Sequence, residues 1–169
     1  MKESDLYYTP EKYIESAKLV FGGQIDLDPT SSPLANSFIG ANRIYTFENS
    51  MLENSLKCDT LFFNPPYSNP LPFVKKLVHE YKCNNINTII GVLNLDCSTR
   101  WFKELSTIVN SYCLLEDRIK FKKCNPEQTE IKETNSNNKC QFFFYAGKNV
   151  CQFNDEFSQY GIILNTDMD

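Results

Sequence analysis

The residues best suited to chemistry are Asn64-Pro65-Pro66-Tyr67, which follow directly on the apolar run Thr60-Leu61-Phe62-Phe63. A residue before proline is pushed out of the helical region toward extended geometry, so Asn64 and Pro65 are both restricted, and neither proline carries an N–H. The segment therefore presents acceptors in a fixed direction: the Asn64 side-chain oxygen and the Pro65 carbonyl converge, while Tyr67 adds an aromatic face. Two acceptors and a ring suit a planar NH2 group. Such a nitrogen is a poor nucleophile because its lone pair is delocalised. Accepting both of its hydrogens localises the lone pair and lets it attack an activated methyl group in line. Asn64 is uncharged, so it orients the group but is a poor proton sink, and the methylated product loses its proton afterwards. Stacking on Tyr67 is worth about 1–3 kcal/mol per base and would help hold a base extruded from a duplex. A rigid turn without chemistry, or a proline-rich peptide ligand, would share the same letters. Placement between a buried strand and a capped helix favours the catalytic reading, because an exposed peptide ligand does not follow such a strand.

Other reactive side chains offer less. The cysteines at positions 58, 83, 97, 113, 124, 140 and 151 form an odd set of seven without a C-x-x-C pair. Several fall in apolar stretches, where a thiol behaves as a small hydrophobe. Reduced thiols and an intracellular protein are expected. The only histidine, His79, lies four residues from Cys83 with no second pair nearby, so no metal site is expected. The sequence shows neither a signal-peptide-like apolar run near MKESDLYYTP nor a stretch of about 18 consecutive apolar residues, so neither secretion nor a membrane span is expected.

The elements that must position the Asn-Pro-Pro-Tyr turn are legible in outline. Thr9-Pro10-Glu11 reads as a helix start with Thr9 as cap, followed by the stripe Tyr13, Ile14, Ala17, Val20 and Phe21 and a stop at Gly22-Gly23. Ile25 to Asp28 reads as a short strand ended by Pro29, then a hydroxyl-rich turn and a short helix around Leu34 to Phe38. A brief strand is expected near Ile44-Tyr45. The run ending at Phe63 fits a strand covered on both faces. Beyond the turn, a helix carries Phe73, Val74, Leu77, Val78 and Tyr81, and a strand follows within Ile86 to Leu93. A helix capped by Ser98 comes next, with the stripe Trp101, Phe102, Leu105, Ile108 and Val109. Strand-like segments recur at Tyr112 to Leu115, Ile119 to Phe121, Phe142 to Tyr145 and Ile162 to Leu164. Residues 122–139 are polar and are expected to form an exposed loop. Strands alternating with helices predict one α/β domain over residues 1–169, a mostly parallel sheet with helices on both faces. The last two strands have no evident helix between them, which predicts an antiparallel edge strand.

The chain has 169 residues, with 17 Lys+Arg against 21 Asp+Glu for a net charge of −4, and it is 41% hydrophobic. That length suits a compact domain with a sizeable core. The acidic balance excludes a domain-wide basic surface, so any nucleic-acid contact must come from a local patch. The densest basic run is Arg118, Lys120, Lys122 and Lys123, which is expected to line a substrate cleft; for Arg118, an exposed ion pair is the plainer reading.

The tetrapeptide resembles the catalytic motif of amino-methyltransferases, and the chain as a whole resembles the phage-type DNA N-6-adenine-methyltransferase (Dam) family. The resemblance is carried by Tyr8-Thr9-Pro10, Phe21-Gly22, Asp26-Leu27-Asp28-Pro29, Asn64-Pro65-Pro66-Tyr67-Ser68, Thr99-Arg100-Trp101-Phe102, Arg118-Ile119-Lys120-Phe121 and Phe142 to Tyr145, in that order. It implies a Rossmann-like methyltransferase domain that uses S-adenosylmethionine to methylate N6 of adenine in DNA, with the base flipped or in a single strand. Asn64, Pro65, Pro66 and Tyr67 would be catalytic. Tyr8, Thr9 and Pro10 are similar to the segment that meets the methionine part of the cofactor, and Asp28-Pro29 resembles the first cofactor-binding loop. An acid about 20 residues beyond the first strand often binds ribose hydroxyls, which nominates Glu48, although a surface glutamate would look the same. The loop DPTSS lacks the G-x-G of many cofactor loops, but Ser31 and Ser32 are small enough for close approach. Rival readings keep the chemistry and change the NH2, to RNA adenine, cytosine N4 or a protein glutamine, or remove the chemistry and leave a cofactor-binding protein.

Overall fold

A computed structural model describes residues 5, 7–125, 130–134 and 138–166. A short strand β1 (Tyr7–Tyr8) leads into α1 (Glu11–Phe21), β2 (Leu27–Asp28), α2 (Pro33–Ile39), β3 (Arg43–Ile44), β4 (Cys58–Phe63), α3 (Leu71–Lys82) and β5 (Ile86–Asn94). These are followed by α4 (Arg100–Leu105), β6 (Ser111–Leu115), β7 (Lys122–Cys124), β8 (Ile131–Glu133), β9 (Gln141–Ala146), α5 (Val150–Phe157) and β10 (Gly161–Asn165). The central sheet has seven strands in the order β10-β6-β9-β5-β4-β2-β3. β3, β2, β4 and β5 are mutually parallel. β9 runs antiparallel between β5 and β6, and β10 closes the edge antiparallel to β6.

The continuous apolar runs form strands covered on both faces. Along β9, Phe143 and Tyr145 join the cluster beneath α1, α2 and α5, whereas Phe142 and Phe144 join the one beneath α3 and α4. Each such ring is fully buried and contributes about 1.5–3 kcal/mol relative to exposure. Gly91 of β5 makes room for this layer: a Cβ there would lie 2.5 Å from the Phe144 ring and 2.8 Å from the Phe63 carbonyl.

The structure departs from the sequence expectations at several points. α5 occupies the connection between β9 and β10, where none was expected. Its apolar positions are Val150, Cys151, Phe153 and Phe157, with Cys151 exposed, and Asn149 makes no side-chain cap bond, so both helix signals are faint. β9 and β10 are separated by β6 rather than adjacent. Thr99 rather than Ser98 caps α4, its Oγ1 accepting from the Phe102 N–H at 3.3 Å. Thr9 makes no cap bond, and α1 starts from Pro10. Ile119 to Phe121 is not a strand. The stretch 122–139, expected as one loop, contains β7 and β8, which join β1 in a small antiparallel sheet of three strands. Residues 126–129 and 135–137 of that stretch lie outside the described residues.

No helix among the described residues is long and apolar enough to cross a membrane. Nor do the described residues bring together three or more His, Cys, Asp or Glu side chains suited to a metal ion.

Candidate active site

β2 pairs with β3 on one side and β4 on the other, so the chain diverges at the carboxyl ends of β2 and β4 and leaves a crevice there. Asp28 ends β2 and Asn64 directly follows β4.

The turn after β4 is fixed from outside, since Pro65 and Pro66 donate no hydrogen bonds. The Asn64 side-chain nitrogen donates to the Tyr7 carbonyl of β1 at 3.0 Å. The Thr30 hydroxyl donates to the Asn64 main-chain carbonyl at 2.9 Å. At the far end, Ser68 donates through its N–H at 3.0 Å and its hydroxyl at 2.9 Å to the two carboxylate oxygens of Asp5. These bonds leave the Asn64 side-chain oxygen buried and without a partner among the described residues. A buried acceptor left unpaired costs about 1–3 kcal/mol, which a donor from a ligand would relieve. The half-buried Tyr67 ring packs edge-on against Phe121, with centroids 5.8 Å apart. Its hydroxyl is buried without a partner among the described residues, and burial pushes its pKa up.

A cavity of about 370 Å³ opens beside the turn, lined in part by Tyr8, Pro29, Thr30, Ser31, Thr46, Pro66 and Ser68. That volume falls within the range of small-molecule sites. The Ser31 hydroxyl, on this wall, and the Thr9 hydroxyl, beside Tyr8 in sequence, are buried and make no hydrogen bond of ordinary geometry among the described residues, although Ser31 lies close enough to Asp28 to favour its charged form. Asp28 is 2% exposed and lies behind the wall rather than on it, with Oδ1 accepting from the Thr30 N–H at 3.1 Å. Burial pushes its pKa from 3.8 to about 6, against the pull of the Thr30 N–H and of the nearby Ser31 hydroxyl. Its carbonyl accepts from the Tyr45 N–H at 3.1 Å, and the Tyr45 carbonyl accepts from the Ser31 N–H at 2.9 Å, which pins the loop to the end of β3.

Of the residues singled out from sequence, Tyr8, Pro29 and Pro66 reach this cavity, and Asn64 and Tyr67 belong to the adjoining turn. Glu48 does not line it: the side chain is exposed and accepts from the Thr46 hydroxyl at 3.0 Å, while Thr46 itself is on the wall. Pro10 and Arg118 line a different cavity, of about 560 Å³, together with Glu11, Lys12, Asp117, Lys120 and Glu133. The Lys122 ammonium, expected to line a substrate cleft, pairs with Glu11 and lies 4.7 Å from the centroid of the Phe38 ring. That hydrogen bond is the main reason the Glu11 carboxyl sits below its ordinary pKa. Lys123 is the neighbouring position of β7, paired with Tyr7. Sequence reasoning missed Asp5, Thr30 and Thr46, and it named Ser68 only as the end of the motif. Thr30 had a faint signal in its hydroxyl-rich turn; Asp5 had none, since it acts through a tertiary bond from an unpatterned segment.

An α/β sheet of this topology, with an Asn-Pro-Pro-Tyr turn and a ligand-sized cavity at its switch point, defines a Rossmann-like methyltransferase. The chain belongs to the DNA N-6-adenine-methyltransferase (Dam) family, which it matches over residues 1–159. It is 35% identical over 146 residues to the DNA N-6-adenine-methyltransferase of Haemophilus phage HP1 (strain HP1c1), covering 82% of this chain and 76% of that protein. Its fold is similar to that of a candidate RNA methyltransferase from Pyrococcus horikoshii. The TM-score is 0.53 at 13% identity, over 88% of this chain and 90% of that one.

Proposed function

We propose that the crevice transfers a methyl group to N6 of adenine in DNA, with S-adenosylmethionine as donor and the target base flipped out of a duplex or supplied in a single strand. The observation that carries this reading is the Asn64 amide: its nitrogen is committed to the Tyr7 carbonyl, and its oxygen is a buried acceptor without a partner among the described residues. An exocyclic NH2 is the donor that such an acceptor lacks. S-adenosylmethionine, when bound, supplies an electrophilic methyl group. Tyr8, Pro29 and Ser31 would hold it in the cavity, whose wall Thr30 shares while its hydroxyl is committed to the Asn64 carbonyl, with the Thr9 hydroxyl close by in sequence and Asp28 bracing the loop from behind. Asn64 and the Pro65 carbonyl accept the amino hydrogens, Pro66 keeps the turn rigid, and the exposed part of the Tyr67 ring stacks on the base. Arg118 and Lys123 are the remaining candidates for phosphate contacts. Action on DNA inside a cell belongs to the same reading.

The test is transfer of labelled methyl to duplex DNA, single-stranded DNA, RNA and protein, followed by mass spectrometry of the products. N6-methyladenine in DNA is expected, and Asn64→Ala is expected to lower kcat by about 10- to 100-fold, the loss of a hydrogen bond to a group gaining charge. Label found only in RNA, in cytosine or in protein, or an Asn64→Ala variant as active as the parent, refutes the assignment.

A further inference from the structure

We infer that Thr30 is a positioning residue that couples the cavity wall to the Asn64 turn, an inference that rests on the reading of this site given above. Pro65 and Pro66 have no N–H, so the turn cannot anchor itself at those positions and depends on donors from elsewhere. At its start the donor is Thr30, whose hydroxyl reaches the Asn64 carbonyl at 2.9 Å. At its end Ser68 is held by Asp5. Thr30 differs from Asp5 in what holds it. It lies on the short loop after β2, where its N–H is fixed on Asp28 at 3.1 Å and the next residue, Ser31, is fixed on the Tyr45 carbonyl at 2.9 Å.

Thr30 and Ser31 also line the 370 Å³ cavity, and the Ser31 hydroxyl, which makes no hydrogen bond of ordinary geometry among the described residues, gives a cavity ligand something to bind. A ligand that orders this loop therefore orders the donor that sets the Asn64 carbonyl. Rotation at Asn64 moves its side-chain acceptor as well, and misplacement of a catalytic group by about 1 Å costs on the order of 100-fold in rate. Thr30 thus makes the acceptor geometry depend on the filled cavity, without itself touching the reacting atoms.

The test compares Thr30→Val, which keeps the shape and loses the donor, with Thr30→Ser, which keeps the donor. Amide hydrogen exchange at Tyr67 and Ser68 is measured with and without S-adenosylhomocysteine, alongside calorimetry of that probe and steady-state kinetics. In the parent the probe is expected to slow exchange at both amides. Thr30→Val is expected to lose that protection while binding the probe within about threefold of the parent, and its kcat falls about 10- to 100-fold with the cofactor KM unchanged. Thr30→Ser restores both. Protection retained in Thr30→Val, an effect confined to probe affinity, or a Thr30→Ser variant as impaired as Thr30→Val overturns the coupling, as does failure of the parent to bind the probe. If the exchange pattern holds but the parent methylates no acceptor, the coupling stands and the proposed function fails instead.

Discussion

Replacing Asp28 by asparagine tests the energetics of the loop beneath the cavity. Asp28 is buried, and its carboxyl is pushed from 3.8 to about 6. The folded state therefore binds this proton more tightly than the unfolded chain. The stability that protonation contributes is complete below about pH 4 and is lost as pH rises through about 6. The shift of roughly two units corresponds to about 3 kcal/mol across that window. An asparagine at this position is neutral throughout and still offers an oxygen to the Thr30 N–H, so Asp28→Asn removes this slope while keeping the bond. The stability of the variant relative to the parent should therefore rise by about 3 kcal/mol between pH 4 and pH 7, or roughly 6–12 °C in Tm for a chain of this size. Thermal unfolding of both proteins across pH 4 to 8 measures it, and the comparison cancels the other carboxylates. Parallel Tm curves would show that Asp28 is not desolvated as the structure places it. Because Asp28 stands behind the wall, S-adenosylhomocysteine affinity should change by no more than about threefold; a loss near 100-fold would mean direct contact with the ligand.

The Tyr67 hydroxyl, without a partner among the described residues, makes Tyr67→Phe neutral or slightly stabilising and nearly as active, whereas Tyr67→Ala should weaken DNA binding by about 5- to 150-fold through lost stacking, read by equilibrium binding. Lys122→Ala should lower stability by less than about 1 kcal/mol and leave low-salt DNA affinity within twofold, since Lys122 is committed to Glu11; a large affinity loss would place it in the cleft after all. Gly91→Ala should destabilise the fold by about 1–3 kcal/mol in denaturant titration, because the new methyl meets the Phe144 ring and the Phe63 carbonyl. An unchanged midpoint would show that β5 and β9 can shift apart.

The sequence displays the core strands because burial on both faces leaves a pattern that needs no partner to be read: Leu61-Phe62-Phe63 and Phe142-Phe143-Phe144 are continuous apolar runs in any context. It displays the Asn-Pro-Pro-Tyr turn because proline restricts the chain locally. What it hides depends on tertiary pairing. Asp5 gains its role from Ser68, which is 63 positions away, and the Lys122 ammonium is paired with Glu11, which is 111 positions away. Neither distance leaves a trace in local pattern. β7 and β8 are too short and polar to announce themselves, and they exist as strands because β7 pairs with β1 on one side and with β8 on the other. Glu48 fits the spacing of a ribose-binding acid but not the place, because spacing along the chain does not fix which way a loop side chain points.

The bond from the Asn64 nitrogen to the Tyr7 carbonyl also bears on which bases the crevice refuses. Turning the amide over would set two oxygens face to face, so the atom offered to the target is always an acceptor. On the proposed role of Asn64, a keto base such as thymine, guanine or hypoxanthine then meets lone pair with lone pair, an unpaired contact costing about 1–3 kcal/mol. Oligonucleotides with hypoxanthine in place of adenine should compete poorly for the site, and equal competition would contradict the lock. Discrimination against deaminated adenine would in that case reside in the main chain of a two-residue strand, beyond the reach of any single side-chain replacement at Tyr7.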